Sequence, residues 1–457
     1  MPGGTGAADL AEVEQAINDY VQPKINCTVK FMEIPIADHA QKIGLLTSSG
    51  EKMDIVIAGL TTSPSTLQAS GVLMPFTKEL EEYAPDLKKK IDPMISACTI
   101  KGDVYTIPMF LYNKKDYCFF YNKDLADQNK LTFPESVLTT DDLASVFKTI
   151  KDSGISSSAI SFGDGTTAMP LSGDIDPLGD VNNQSYGVLL DPTKDTTIVN
   201  FYDTDRFEQI CKTIRDWYNA GYVEPDSLSS GNNMYASLTS AKSLGNISAL
   251  GAGGTIDVSP MVGGLQLGTV KIDTQVPLTT ASINDYCYGI SSNCQNLPKV
   301  MQFLNLMYTD STLMNLMNYG IEGKHYVKSS DNIITYPDGV NVMNVGYGSF
   351  INKFGDESLY YHFAPQTEDY YANLKNYSTD SAVKSKAFGY TFDASSVKTQ
   401  LEAVSSVIST YRPSLECGIA DVDQTLAEFR EALKSAGIDE IVAENQKQFD
   451  AWLAEQK

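Results

Sequence analysis

Aromatic rings set beside amides and hydroxyls are the most suggestive chemistry in this sequence of 457 residues. It holds 25 tyrosines and 18 phenylalanines against 2 tryptophans. Several fall in polar, glycine-bearing stretches: Phe110 with Tyr112 and Asn113, Phe162 with Gly163 and Asp164, and Tyr347-Gly348-Ser349-Phe350 with Asn352. A sugar has an apolar CH face and a rim of hydroxyls, so a sugar site combines a flat ring with amide, carboxylate and hydroxyl partners. Such a site discriminates strongly, because an analogue lacking a hydroxyl leaves buried polar groups unpaired. The competing reading of each ring is ordinary, since tyrosine and phenylalanine also populate half-buried strands and cores.

Other chemistries lack their residues. There is no Walker loop, nucleophile elbow or zincin pattern, and Gly251-Ala252-Gly253-Gly254 reads as a turn rather than a dinucleotide fingerprint. Asp174-Ile175-Asp176-Pro177-Leu178-Gly179 looks like the opening of a calcium loop. Leu178, however, occupies a position that needs oxygen and no glutamate closes the loop, so a solvated loop is expected. His39, His325 and His362 lie far apart, and the seven cysteines show no metal-ligand spacing. Most of these thiols sit in apolar runs and read as buried and inert, with a disulfide left open. Glu81-Glu82 and Asp141-Asp142 are accounted for by helix starts and solvated faces. No pair of carboxylates stands out for glycoside cleavage. The expectation is no catalytic residue, no metal and no cofactor, with a glycan-cleaving enzyme as the minority alternative.

The formal charge of −23 excludes nucleic acid, which needs a basic stripe, and a polybasic membrane-surface protein. No run of eighteen apolar residues exists to span a bilayer, and Met1 to Gly6 lacks a signal-peptide pattern. With 42% apolar residues the chain can bury a large core, and its length exceeds the ~250–300 residues of a single core. Two lobes are expected.

The elements that must position any site alternate in type. Leu10, Val13, Ile17 and Tyr20 follow a helical period behind Asp9; Cys27, Val29 and Phe31 alternate as in a strand; a helix is expected near 37–46. Met53 to Gly59, apolar on both faces, reads as a buried parallel strand. Strands at 117–121, 159–162, 243–250 and 286–291 alternate with helices through Leu143–Ile150, Phe207–Trp217 and Val300–Met307, and the last ~60 residues read as helical. This order is that of an α/β protein.

Several stretches resemble one known family. Met53-Asp54-Ile55-Val56 after Ser48-Ser49-Gly50, then Gly71–Phe76, Lys101–Pro108, Tyr121–Leu125, and Asp216-Trp217-Tyr218 with Gly221-Tyr222-Val223 resemble the family-1 extracellular solute-binding proteins of bacterial ABC importers. Leu304–Asp310, Asn318–Tyr326, Phe388–Asp393, Ala436–Asp439 and Gln446–Trp452 are similar to its Gram-positive, lipoprotein-type subgroup, which carries a C-terminal helical region. The resemblance covers essentially the whole chain and rests on the order and number of these motifs. It implies a two-lobed α/β fold of the type II periplasmic-binding-protein kind, hinged between lobes. Residues 1–111 and 278–323 would form the N-terminal lobe, 112–277 the C-terminal lobe, and 324–457 a mostly helical region packing on the lobes and the hinge. It further implies a non-enzymatic, extracellular, monomeric receptor that hands an oligosaccharide to a membrane permease. The family's mature chain begins with a lipid-anchored cysteine, a tether and a first strand. This sequence opens at the Gly3-Gly4-Thr5 turn that would follow them, so the export segment and anchor are expected to lie outside it. Phe350-Ile351-Asn352 stands where the subgroup has a Trp and a Gly-Asn pair.

In open α/β sheets, ligands bind beyond the carboxyl ends of strands. That places the expected contacts at Gly4 and Thr5, Thr61 and Thr62, Phe110 and Asn113, Phe162 and Asp164, and Gly253, with Tyr286, Tyr347, Phe350 and Asn352 in addition. Phe162, Tyr347 and Phe350 are the expected stacking rings; Asp164 can accept two hydroxyls, and Asn113 can donate and accept. Asp164 as a turn-former and Phe162 as core are the alternatives. Trp217 shares a helix stripe with Phe207 and Ile214 and reads as packing. An acidic exterior does not attract anions, so a neutral oligosaccharide is expected, with a peptide or another small polar solute as the alternative.

Overall fold

The computed structural model describes residues 7–109, 111–112, 116–162, 171, 175–178, 186–228, 234–250, 265–272, 276–341, 344–347, 354–364, 374 and 382–456. The strands that position the site are β1 (Ile55–Ala58), β2 (Leu73–Met74), β3 (Thr106–Pro108), β4 (Asp116–Asn122), β5 (Ser158–Ile160), β6 (Ser243–Leu250), β7 (Leu267–Ile272) and β8 (Cys287–Ser291). The helices that matter are α1 (Leu10–Ile25), α2 (His39–Ser49), α3 (Pro64–Ala69), α4 (Thr140–Ser153), α5 (Asp205–Asn219), α6 (Lys398–Glu416), α7 (Val422–Ala436) and α8 (Ile438–Glu455). Unit 1 comprises residues 1–113, 278–382 and 388–391; unit 2 comprises 114–277, 383–387 and 392–457. The residues beyond Gly323 are thus divided between the two units and do not form a body of their own.

Unit 1 is built on β8. On one edge it pairs antiparallel with β1, Ala58 opposite Cys287; on the other it pairs antiparallel with β3, Pro108 opposite Cys287, and then with β2. Burial of Val56, Ile57 and Ala58 agrees with a strand apolar on both faces, but the expected parallel pairing does not occur. Burial on two faces carries no information about strand direction; here the partner returns from more than two hundred residues away. On α1, the four-residue spacing of Val13, Ile17 and Val21 turns all three into the core. Asp9 does not cap this helix with its side chain. Its carboxylate instead meets Lys324 Nζ at 2.9 Å and His325 Nε2 at 3.1 Å.

The alternation at Cys27, Val29 and Phe31 produces half-buried odd and exposed even positions, yet no strand is assigned there. Side chains of α1 take the place of a ladder. Asn18 Nδ2 donates to Val29 O at 2.9 Å, Val29 N–H donates to Asn18 Oδ1 at 2.6 Å, and Phe31 N–H donates to Glu14 Oε2 at 2.8 Å.

Unit 2 has β4 at the centre of a five-stranded sheet, antiparallel to β7 and β6, with β5 parallel to β6 beyond. The helix α4 starts with a reciprocal cap between Thr139 and Asp142, a good local nucleus, and buries Leu143, Val146, Phe147 and Ile150. Facing it, α5 buries Phe207, Ile210, Cys211, Ile214 and Trp217. Trp217 is a packing residue: its ring meets Phe147 edge-on at 5.1 Å. From the C-terminal helices, Val404, Ile408, Phe429 and Ile441 join the same core, each worth roughly 1.5–3 kcal/mol in apolar burial. Among the described residues, no helix is long and apolar enough to cross a membrane.

Candidate functional site

The carboxyl end of β1 is where unit 1 concentrates polar groups. The apolar strand stops at Gly59, whose φ of 89° and closeness to neighbouring backbone admit no side chain; a Cβ there would lie 1.9 Å from the Asn284 carbonyl oxygen. Gly59 N–H then donates to Thr62 O at 2.9 Å, closing a tight turn that carries Thr61 and Thr62. Ser63 follows as the N-cap of α3, its Oγ accepting from Thr66 N–H, with Pro64 in the first turn. Opposite the turn, α2 begins with His39, which is only 4% exposed. His39 Nδ1 and Thr61 Oγ1 are hydrogen-bonded at 2.9 Å. Burial holds this imidazole below its ordinary 6.5, so it is neutral at pH 7.

His39, Thr61 and Thr62 pack together against Ala40, Ile43, Ile57 and Leu67, leaving no space the size of a water molecule between them. Tyr286 reaches the same end of the sheet, because Ala58 and Pro108 both lie opposite Cys287. It is half-buried, and its carbonyl accepts from Met109 N–H at 3.0 Å.

Of the residues expected from sequence, the structure therefore brings together Thr61, Thr62 and Tyr286. Two expected stacking rings are core instead. Phe162 is 1% exposed within the core of unit 2, and Tyr347 is 3% exposed in that of unit 1, with its hydroxyl donating to Met317 O at 2.7 Å. Glycines and polar neighbours in sequence suggested exposed loops, whereas distant segments cover both rings. Gly4, Thr5, Phe110, Asn113, Asp164, Gly253, Phe350 and Asn352 lie outside the described residues. The expected solvated loop at 174–179 is corrected at Asp176, which is fully buried, accepts from Leu178 N–H at 2.8 Å, and has its carboxyl pushed up by burial.

Sequence reading passed over three kinds of polar group. The first is His39, a single histidine at the start of an amphipathic helix; its signal lay in the threonine pair that follows β1. The second is a row running from the carboxyl end of β5 across the middle of β6 in unit 2. Ser161 N–H donates to Gly245 O at 3.3 Å, and Glu224 N–H donates to Ile160 O at 2.8 Å. This register aligns Ser161 with Asn246 and Glu224, and the buried Ser161 Oγ, Asn246 Nδ2 and Glu224 Oε2 have no hydrogen-bond partner among the described residues. Buried polar atoms are rarely left so. The third is Glu357 in unit 1, whose Oε2 accepts from Leu111 N–H at 3.0 Å and whose carboxyl burial pushes up to about 8.

Among the described residues, no group of three or more His, Cys, Asp or Glu side chains could hold a metal ion. All seven cysteines are free thiols. Burial pushes Cys98 and Cys417 up to about 12 and Cys294 up to about 11, which leaves little thiolate at neutral pH.

Comparison with known proteins agrees with this architecture. A carbohydrate ABC transporter substrate-binding protein of Streptococcus pneumoniae is 25% identical over 98% of this chain and 89% of its own. The crystal structure of the N-glycan transport solute-binding protein NgtS from S. pneumoniae superposes with a TM-score of 0.85 at 24% identity, covering 99% of this chain and 98% of that one. An HMO-binding, ABC-transporter-associated solute-binding protein from Bifidobacterium longum infantis superposes with a TM-score of 0.62 at 14% identity, over 99% and 98% of the two chains. Residues 386–454 match a domain of unknown function. Residues 15–323 match the bacterial extracellular solute-binding proteins, and it is to this family, with its two-lobed α/β fold, that the chain belongs.

Proposed function

We propose that this chain is the extracellular substrate-binding component of an ABC importer, capturing a neutral oligosaccharide and delivering it to the membrane permease. The observation that carries the reading is the polar set at the carboxyl end of β1. There a neutral imidazole bonded to the hydroxyl of Thr61 stands beside Thr62, at the end of the sheet that half-buried Tyr286 also reaches. Hydroxyl-bearing ligands are matched by such groups; carboxylates and phosphates call for Arg or Lys forks. The formal charge of −23 weighs the same way. The names of the relatives support it too: one is a carbohydrate ABC transporter component, and NgtS has been crystallised with Man5GlcNAc. In this reading the protein makes and breaks no bond, acts as a monomer, and is held at the cell surface by a lipid anchor.

A thermal-shift screen of neutral oligosaccharides, including Man5GlcNAc, tests the reading. A ligand that binds only the folded state adds about 2.7 kcal/mol at a hundredfold excess over Kd. At least one neutral glycan should raise the melting temperature and be recovered intact by chromatography. No shift across the panel, or release of shorter products, contradicts the proposal.

A further inference from the structure

We propose that Glu357 is a proton-operated latch on the segment by which the chain leaves unit 1: the neutral carboxyl fastens the backbone at Leu111 and Tyr112, and the carboxylate lets it go. The latch lies wholly within unit 1 and operates whatever the solute.

The first stretch of unit 1 ends at Asn113, and unit 2 begins at Lys114. The residues just before that crossing are tied down one after another. Pro108 lies opposite Cys287 of β8, and its carbonyl accepts from the buried Tyr308 hydroxyl. Met109 N–H donates to Tyr286 O at 3.0 Å. After Met109 the fastening passes from backbone to a side chain. Leu111 N–H donates to Glu357 Oε2 at 3.0 Å, and Tyr112 N–H also bonds this carboxyl. Glu357 is only 7% exposed.

The Glu357 side of the latch is fixed. Gly355, with a φ of 69°, sits so close to its neighbours that a Cβ would lie 2.0 Å from Met307 O. Asp356 caps the short turn Glu357–Leu359: its Oδ1 accepts from Ser358 N–H at 2.9 Å, and its Oδ2 is bonded by Lys90 Nζ. The outgoing segment is therefore the side that can yield.

The surroundings leave the titration to Glu357. Asp356 adjoins it on the same turn, Tyr288 stands on β8, Tyr308 follows the helix Leu297–Met307, and Tyr112 lies on the segment itself. Lys90, on the helix Pro85–Ile91, is paired with Asp356. Burial holds the Tyr288 and Tyr308 phenols well above their ordinary 10, so both stay neutral. Burial likewise pushes the Glu357 carboxyl from an ordinary 4.5 up to about 8. Between those two values the fastened carboxyl keeps its proton, and a carboxyl released to water gives it up. Each pH unit across that window therefore favours release about tenfold, and the gain levels off above the upper value.

Hydrogen exchange of the full-length protein from about pH 5 to pH 9, with Glu357→Gln for comparison, tests the latch. Glutamine keeps an oxygen for the N–H groups and has no proton to lose. Local opening is read as protection, corrected for the intrinsic pH dependence of exchange. At Leu111 and Tyr112, wild-type protection should fall about tenfold per pH unit up to about pH 8 and then level off, while that of Glu357→Gln stays flat. The amides of β8 report global unfolding and should remain better protected than these two throughout. Glu357→Leu, which offers no acceptor, should lower protection at both amides even at pH 5. Matching pH profiles in wild type and Glu357→Gln would overturn the latch, as would exchange of both amides only in step with β8. No glycan enters the experiment, so its failure and that of the proposed function are separate results.

Discussion

Glu357 carries a measurable consequence at the scale of one residue. Burial raises its carboxyl from an ordinary 4.5 to about 8, against the opposing pull of N–H groups at Leu111 and Tyr112. A group whose folded pKa is raised contributes stability below its unfolded pKa and loses it as pH rises through the folded one. Each pKa unit corresponds to ~1.4 kcal/mol. Wild-type stability should therefore decline by a few kcal/mol, relative to Glu357→Gln, between pH 4.5 and about pH 8–9. Denaturant titrations of both proteins across that range check it; parallel curves would show that the carboxyl titrates alike in folded and unfolded chains. None of this was legible in the sequence, where Asp356-Glu357 is one more acidic pair in a chain rich in them. The same limit applied to Phe162 and Tyr347, whose polar sequence neighbours concealed burial by remote segments. The place of Thr61 and Thr62 in the turn beyond the carboxyl end of β1 was legible, because the apolar run of that strand stops at Gly59.

Element types followed from periodicity, while pairings did not. The stripe on α5 and the Thr139–Asp142 cap of α4 are local patterns, and the structure realises both. The direction of β1 depends on β8, more than two hundred residues onward, and the alternation at Cys27 to Phe31 specifies two faces without specifying a neighbour strand. There the backbone of Val29 relies on the amide of Asn18. Asn18→Ala would leave a part-buried N–H and C=O without that partner, at a cost of roughly 1–3 kcal/mol. The accompanying readout is hydrogen exchange: the Val29 amide should exchange markedly faster, with little change in α4 and α5 of unit 2. Unchanged protection at Val29 would show that the segment is held by its side-chain packing alone.

For the whole molecule, charge and ligand chemistry are linked. On the proposed reading, a chain with a formal charge of −23 that binds an uncharged glycan through neutral groups releases no counterions on binding. Its affinity should therefore be nearly independent of salt. Isothermal titration calorimetry of the full chain with Man5GlcNAc and other neutral oligosaccharides, and with an acidic oligosaccharide for comparison, at about 50 and 500 mM salt, tests this most directly. The account predicts a Kd of about micromolar order for at least one neutral glycan, unchanged within about twofold between the two salt concentrations, and no heat from the acidic one. Binding of the acidic oligosaccharide in preference, with an affinity that falls steeply with salt, would contradict it.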